Sequence, residues 1–435
     1  MAERDVAADL IGCFEAALDA ADPARAVHDG LAAREVPLEL GRDRPHWIIA
    51  LGKAAPAMAE AAVVHCGERG LTIAGGLVIG AVEADAPAAT IEVVVGDHPV
   101  PGARSAQAAE RLTALVERIG RDDIVLLLLS GGTSSLVGAP IDGVREEDLA
   151  SLHSLLLGAG VPIGRVNAVR KRFSRWGAGR LAAALECERV IPILLADVPN
   201  EDPAMVGSGP VSPDALHAWH VERILRDAGI AVQVPLSVAS TLGAMRAGVM
   251  AETPKAGSPA FARVEEPFVV GNGAALDAAA ARAHALGYAP VLLSRTLLQG
   301  DATAAGRVLA HTLARAASQS CLVWGGETTV RLPRDHGLGG RSQQLALAAA
   351  EVLDERRAAD AWLLAAGTDG RDGPAPAAGA IVNGTTWRVS AERGGAPARA
   401  LRRCDAFGAL AAADAILPAR ETGTNVMDVV VAIRH

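Results

Sequence analysis

Five apolar runs along the chain share one kind of ending. Residues 124–129 are Ile-Val-Leu-Leu-Leu-Leu and stop at Ser130-Gly131-Gly132-Thr133-Ser134-Ser135. Residues 47–51 run into Gly52-Lys53-Ala54, 190–195 into Ala196-Asp197, 322–324 into Gly325-Gly326-Glu327, and 362–366 into Gly367-Thr368-Asp369-Gly370. A short apolar run bounded by turn formers predicts a strand buried on both faces that ends in an exposed turn. Between such runs the period changes. Val6, Leu10, Ile11, Phe14 and Leu18 recur at helical spacing and predict an opening amphipathic helix that ends before Pro23. Further helices are expected over 103–119, 146–157, 214–228, 234–250, 302–317, 345–352 and from 274 onward, with strands at 77–79, 91–95, 268–270 and 290–293. The alternation is that of βα units building a parallel sheet, so the fold class is α/β.

Length sharpens this picture. At 435 residues the chain exceeds the roughly 250–300 residues at which one core stops growing. The Pro-, Gly- and Ala-rich stretch 251–267 is the expected boundary, dividing the chain into 1–255 and 256–435. Composition then removes several function classes. A formal net charge of −9 with no Lys/Arg-rich run argues against a nucleic-acid partner, and 3% aromatics give little for bases to stack on. No apolar run approaches the roughly 20 residues of a membrane span, and the opening Met1-Ala2-Glu3-Arg4-Asp5 is too acidic for a targeting peptide. Five scattered cysteines without metal-ligand spacing fit a reducing compartment, so a cytoplasmic protein is expected.

Lysine usage points to chemistry. Only Lys53, Lys171 and Lys255 are present, among 41 basic residues. Where arginine serves for diffuse charge, a lysine at a strand end is a candidate for work that needs a compact ammonium group. Lys53 precedes a predicted helix whose dipole it opposes, an arrangement that makes sense when an anion neutralises both; the alternative is an exposed lysine on a turn. Ser130, Gly131, Gly132, Thr133 and Ser134 could surround an anionic group with backbone N–H groups and hydroxyls, or could merely be the glycine-rich exit of a buried strand. His98, among turn formers, suits a structural role as well as a chemical one. Arg170 and Lys171 could clamp a carboxylate or phosphate, or face solvent. Asp197, Glu201 and Asp202 lie at a strand end, where three carboxylates resemble a Mg²⁺ station with one member left at the surface. Arg341 opens a helix after Gly337-Leu338-Gly339-Gly340, a guanidinium fork beside free N–H donors.

Together these supply what phosphoryl transfer needs: an anion cradle, carboxylates for a divalent ion, and cations for the transferring group. Hydride transfer lacks its G-x-G-x-x-G fingerprint, and serine hydrolysis its G-x-S-x-G elbow. A calcium loop at Asp369–Asp372 lacks the remaining ligand spacing.

The chain also resembles the glycerate 2-kinases, which join a glycerate kinase domain to a carboxy-terminal MOFRL domain. The resemblance rests on an ordered set: ALGKAAPAM (50–58), GDHPVPGARS (96–105), SGGTSSL (130–136), NAVRKRFS (167–174), SGPVSPD (208–214), GGETTVRL (325–332), GLGGRSQQLAL (337–347), GTDGRDGP (367–374) and TGTNVMD (422–428). It implies a Rossmann-like α/β/α sandwich followed by a smaller α/β domain with a mixed sheet, and an active-site cleft between them. It implies ATP, Mg²⁺ and transfer of the γ-phosphoryl to the 2-hydroxyl of D-glycerate, giving 2-phospho-D-glycerate and ADP; a monomer or homodimer is expected, a choice the sequence does not decide. The family's lysine falls on Lys53 and its arginine on Arg341, both stabilising the migrating phosphoryl. Asp197 orients or deprotonates the acceptor hydroxyl, or binds the metal with Asp202. Substrate and nucleotide contacts fall on Ser130, Gly131, Gly132, Thr133, Ser134, Arg170, Glu327, Asp369 and Asn425. Family members are also labelled hydroxypyruvate reductase, against which the missing dinucleotide fingerprint argues.

Departures lie inside these motifs. Family K-H-L-S-x-x-K-G-G reads Lys171-Arg172-Phe173-Ser174-Arg175-Trp176-Gly177-Ala178-Gly179, and S-D-V-x-G-D-D reads Ala196-Asp197-Val198-Pro199-Asn200-Glu201-Asp202. G-G-R-N-x-E becomes Gly339-Gly340-Arg341-Ser342-Gln343-Gln344, and D-G-P-T-D becomes Asp372-Gly373-Pro374-Ala375-Pro376. A different hydroxy acid or sugar acid as acceptor is the second expectation, and a nucleotide-binding protein with little catalysis the third.

Overall fold

The computed structural model describes residues 4–33 and 43–435; the first three residues of the acidic amino-terminal stretch lie outside the described residues. The chain folds as two units, each with its own six-stranded sheet.

One unit comprises residues 23–195 and 202–269. Its strands are β1 (His46–Leu51), β2 (Ile73–Gly80), β3 (Ile91–Val95), β4 (Ile124–Leu129), β5 (Arg189–Leu195) and β6 (Phe268–Val270), in the order β3-β2-β1-β4-β5-β6. The pairs from β3 through β5 are parallel. Every residue of β1 and β4 is buried, which is why both read as unbroken apolar runs. This is the doubly wound order in which the chain departs in opposite directions from β1 and β4, leaving a crevice at their carboxyl ends. Four helices, Glu146–Gly158, Ile163–Arg172, Ala218–Asp227 and Leu236–Arg246, form a satellite with a separate core that includes Leu152, Val169, Phe173, Val221 and Leu242. Periodicity indicated three of these helices, all but Ile163–Arg172, and not that they would leave the sheet to pack on one another.

The satellite is anchored by a buried polar knot. Arg172, with no exposed surface, donates from Nη1 to Asp214 at 3.0 Å and Thr253 at 3.1 Å, and pairs with Glu252 through Nη2. Lys171 and Lys255 reach the same Asp214 at 3.5 and 3.8 Å. Burial alone would raise the pKa of Asp214, but the cations and hydrogen bonds around it hold it below the usual carboxylate value.

The other unit comprises residues 1–22, 196–201 and 270–435. Its sheet is mixed, as expected: β7 (Val291–Leu293), β8 (Ser320–Gly326), β9 (Ala361–Gly367), β10 (Ala377–Asn383), β11 (Ile416–Pro418) and β12 (Asp428–Arg434) lie in the order β11-β10-β9-β12-β8-β7. β12 runs antiparallel to both neighbours, so its first residue, Asp428, sits opposite the last residues of β8 and β9, Gly326 and Gly367. The helix Arg341–Glu355 is buried over most of its length against β9 and β10.

This division differs from a single cut at 255/256. The opening helix, Val6–Ala20, joins the carboxy-terminal unit, burying Val6, Leu10 and Phe14 against the helix Asn272–Ala285 and β12. Arg4 donates to the carbonyl of Leu286 at 2.6 Å, the Tyr288 hydroxyl to Asp9 at 2.7 Å, and Thr424 to the carbonyl of Ala21 at 2.5 Å. An apolar stripe shows that a helix packs, not which core receives it. Among the described residues no helix is long and apolar enough to cross a membrane.

Removing Asp214 leaves buried cations without their shared partner. Asp214→Ala is expected to destabilise the protein by about 3–5 kcal/mol, the usual consequence of breaking a buried pair from one side. Urea unfolding followed by circular dichroism measures it, and a loss below about 1 kcal/mol would show that the knot is not what holds the satellite.

Candidate active site

The sequence places Lys53 and the Ser130–Ser134 stretch at the ends of β1 and β4, and the structure knits these two ends together. Gly52 adopts φ +126°, a backbone only glycine takes easily, and a Cβ there would run into the Ser130 hydroxyl. That hydroxyl accepts from the N–H of Ala54 at 3.0 Å, and the N–H of Lys53 donates to the carbonyl of Gly131 at 2.9 Å. The Thr133 hydroxyl lies 2.8 Å from the carbonyls of both Leu51 and Ser130, and Ser135 donates to the carbonyl of Gly132 at 2.9 Å.

Of the two readings of this stretch, these contacts fit the glycine-rich strand exit, with Ser130, Thr133 and Ser135 bonded to nearby backbone. The exception is Ser134, which is exposed and lies 2.7 Å from the Ser208 hydroxyl. What the loop presents instead is backbone: the N–H groups of Gly131, Gly132, Thr133 and Ser134 find no acceptor among the described residues. Beside them stands the Lys53 side chain, whose Cγ would lie 3.2 Å from a Cβ placed on Gly132. Adjacent free N–H groups next to an ammonium group form an anion cradle.

Of the basic segment 170–175, Lys171 and Arg172 belong to the buried knot and are not available as a clamp. Arg170 is half-buried, its pKa lowered by burial, and among the described residues it makes no ion pair. No hydrogen bond joins it to the Gly131–Ser134 backbone. Asp202 accepts from the N–H of Ala204 at 2.9 Å within its own turn.

The second group of candidates gathers at the strand ends of the mixed sheet. Arg341 begins its helix and donates through Nε and Nη2 to the two oxygens of Asp428, at 2.6 and 2.9 Å, while Nη1 meets Glu327. Burial works against the charged guanidinium, but Asp428 first and Glu327 after it outweigh that, raising its pKa. Burial pushes Asp428 upward, while the guanidinium pulls it back. With each oxygen accepting from the same fork, the ionised carboxylate is the form this geometry requires. Asp372 holds the helix from outside. Its two oxygens accept from the N–H groups of Ser342 at 3.0 Å and Gln343 at 2.7 Å, capping a helix whose own N-cap, Gly340, has no side chain to do so. Asp369 accepts from the N–H of Arg371 at 3.0 Å. Asn425 donates to Asp197 at 3.5 Å and accepts from the N–H of Met427 at 3.2 Å.

The Asp197–Asp202 loop does not collect its carboxylates. Glu201 accepts from the N–H of Gly273 at 2.7 Å, at the start of the Asn272–Ala285 helix. Among the described residues no three His, Cys, Asp or Glu side chains form a metal cage. The oxygen-only donors are nonetheless of the class Mg²⁺ takes, which uses one or two carboxylates and completes its shell with phosphate and water.

Asp428 and Asp372 were not singled out by sequence reading. A charged residue opening the otherwise apolar run 428–433 was the available signal for the first. For the second, the missing side chain at the N-cap Gly340 called for an acceptor from elsewhere.

Residues 9–243 match the family described as a domain of unknown function, DUF4147, and residues 320–428 match the MOFRL family. The chain is 33% identical to D-glycerate 2-kinase of Thermotoga maritima over 94% of its own length and 95% of the relative's. It is 31% identical to glycerate 2-kinase of Pyrococcus horikoshii over 99% and 97%, and 34% identical to a putative hydroxypyruvate reductase of Agrobacterium vitis over 96% and 92%. The crystal structure of glycerate kinase from Thermotoga maritima superposes with a TM-score of 0.84, covering 98% of this chain and 99% of that one at 32% identity. The chain thus belongs to the glycerate 2-kinase family, carrying both its DUF4147 and its MOFRL parts.

Proposed function

We propose that the protein transfers the γ-phosphoryl of ATP to the 2-hydroxyl of D-glycerate, giving 2-phospho-D-glycerate and ADP. The observation that carries this reading is the anion cradle at the ends of β1 and β4: four backbone N–H groups without acceptors, with Lys53 beside them. The relatives named glycerate kinases supply the substrate pair. Lys53 and Arg341 stabilise charge on the transferring phosphoryl, where fixed cations are worth more than solvent because they need not reorganise. Asp428 and Glu327 keep the Arg341 fork aimed. Gly131, Gly132, Thr133 and Ser134 bind phosphate oxygens through the backbone, and Arg170, Glu327, Asp369 and Asn425 line the substrates. Asp197 orients the acceptor hydroxyl or, with Asp202, holds Mg²⁺, which when bound would neutralise charge on the ATP phosphates.

A second acceptor is a reading that the altered motifs favour at some positions and not at others. Gln344, where the family has Glu, donates to Thr303 at 3.1 Å and to the carbonyl of Leu401 at 2.9 Å. That change lies in the packing of the helix, where the side chain is buried and bonded within the protein. Gly177, replacing a lysine, removes a cation outright and is the better reason to test other 2-hydroxy acids.

Purified protein with ATP, Mg²⁺ and a panel of hydroxy acids should release ADP with D-glycerate, and ³¹P NMR should place the phosphate on the 2-oxygen. Release with another acid alone would move the assignment to that acid, and NADH oxidation with hydroxypyruvate would overturn the kinase. Lys53→Ala and Arg341→Ala are each expected to lower kcat by about 10²–10³-fold while leaving the far-ultraviolet spectrum unchanged; near-normal turnover in either removes that residue from the mechanism. Asp428→Asn should cost about 10–100-fold in kcat, because the guanidinium loses its aim while the charge remains. A kcat equal to wild type would show that Arg341 is positioned without it.

A further inference from the structure

His98 has no part in the roles assigned above, yet it stands at the cradle. A Cβ on Gly132 would lie 3.2 Å from His98 Cδ2 and 3.4 Å from His98 Nε2, and 3.2 Å from Lys53 Cγ. The edge of the imidazole and the stem of the lysine thus flank the glycine whose N–H is free. Gly132 has φ +88° and no side chain, and any larger residue would fill the space the two share.

The segment that carries His98 is fixed on both sides. Gly96 lies with its Cα against the carbonyl of Leu136, at the end of the short helical turn that follows the glycine loop. Asp97 is fully engaged: its N–H donates to Ser105 at 2.9 Å, and its carboxylate accepts from the N–H and Nε of Arg104 at 2.9 and 2.7 Å. His98, next in the chain, makes no hydrogen bond with a described residue through either ring nitrogen. The ring is exposed, and its Cδ2–Nε2 edge lies beside Gly132, within reach of a ligand seated on the free N–H groups of the loop.

We propose that His98 is a catalytic residue of the transfer, the base that receives the proton of the acceptor hydroxyl. This rests on the kinase reading. As the 2-oxygen of the hydroxy acid forms its bond to the γ-phosphorus, the bond from that phosphorus to the bridging oxygen breaks. ADP leaves with the electron pair, and the hydroxyl proton passes to Nε2 of His98. Two features keep the ring neutral and ready to accept: partial burial first, then the charge of Lys53, both lowering its pKa. The charged groups that face it are Lys53, from the turn after β1, and its neighbour Asp97, already paired with Arg104; the glycine loop brings none. A phosphoryl group in flight carries much of its own driving force, so the base contributes at the low end of the usual range for such groups.

The test is the pH profile of kcat/KM for D-glycerate. Wild type should lose activity on acidification as the imidazole gains its proton, with the limb below the ordinary histidine value. His98→Gln should lose about 10²-fold in kcat/KM together with that limb, with the KM for ATP within about twofold. In His98→Ala, added imidazole should restore turnover in proportion to its concentration. The ring signal missing from the His98→Gln spectrum should titrate below the ordinary value in the wild-type protein and move when D-glycerate and a non-hydrolysable ATP analogue bind. An unaltered limb and rate in His98→Gln overturn the proposal, as does a ring signal indifferent to ligands. Wild type that turns over no glycerate overturns the kinase reading instead, so the two failures are distinct.

Discussion

The hydroxyl of Thr133 sits 2.8 Å from the last carbonyl of β1 and from the first carbonyl after β4, and the site in this unit depends on that contact. Where two parallel strands turn away from the sheet in opposite directions, their final carbonyls lose the regular ladder and need partners from the turns. Here the Leu51 carbonyl accepts from the N–H of Ser130 at 3.0 Å, and the single Thr133 hydroxyl proton is shared between that carbonyl and the one of Ser130. The N–H groups of residues 131–134 are left without an acceptor among the described residues. Ser130 repeats the device from the other side by accepting from Ala54, which fixes the turn that carries Lys53. The cradle is a by-product of how the strand ends are closed, and its hydroxyls are spent on closure.

That distinction explains which part of the site could be read from the residues alone. A strand ending in Gly and hydroxyl residues announces an exposed turn, and Lys53 and Arg341 are legible because each breaks a local rule, one as a rare lysine, the other as a cation at a helix start. The same reasoning cannot tell whether a serine faces the ligand or its own backbone, since the two uses require the same residue type. Asp428 and Asp372 are harder still. They act on Arg341 and its helix from 87 and about 30 positions away in the chain, through register and capping that exist only once β12 and the 368–374 loop are in place. The mixed character of the second sheet was reached through resemblance, and the four-helix satellite was not reached by any route, because periodicity names a buried face without naming its partner.

The altered motif at 196–202 has a physical account of its own. Asn200 takes φ +57°, at the position where the family pattern has glycine. Asparagine is among the few residues that tolerate this conformation, so the turn survives the exchange. The neighbouring Glu201, also left-handed at φ +54°, uses its extra methylene to reach the N–H of Gly273. Local geometry and the anchoring of the Asn272–Ala285 helix are thereby preserved while the carboxylate is committed elsewhere.

The opening helix has a consequence for how the chain is made. Val6–Ala20 is synthesised before its packing partner Asn272–Ala285, which follows roughly 250 residues later, about ten to fifty seconds at ordinary rates of synthesis. Through that interval its apolar stripe of Val6, Leu10 and Phe14 has no native surface to cover it. The nascent chain carries this apolar stripe uncovered until residues 272–285 are synthesised.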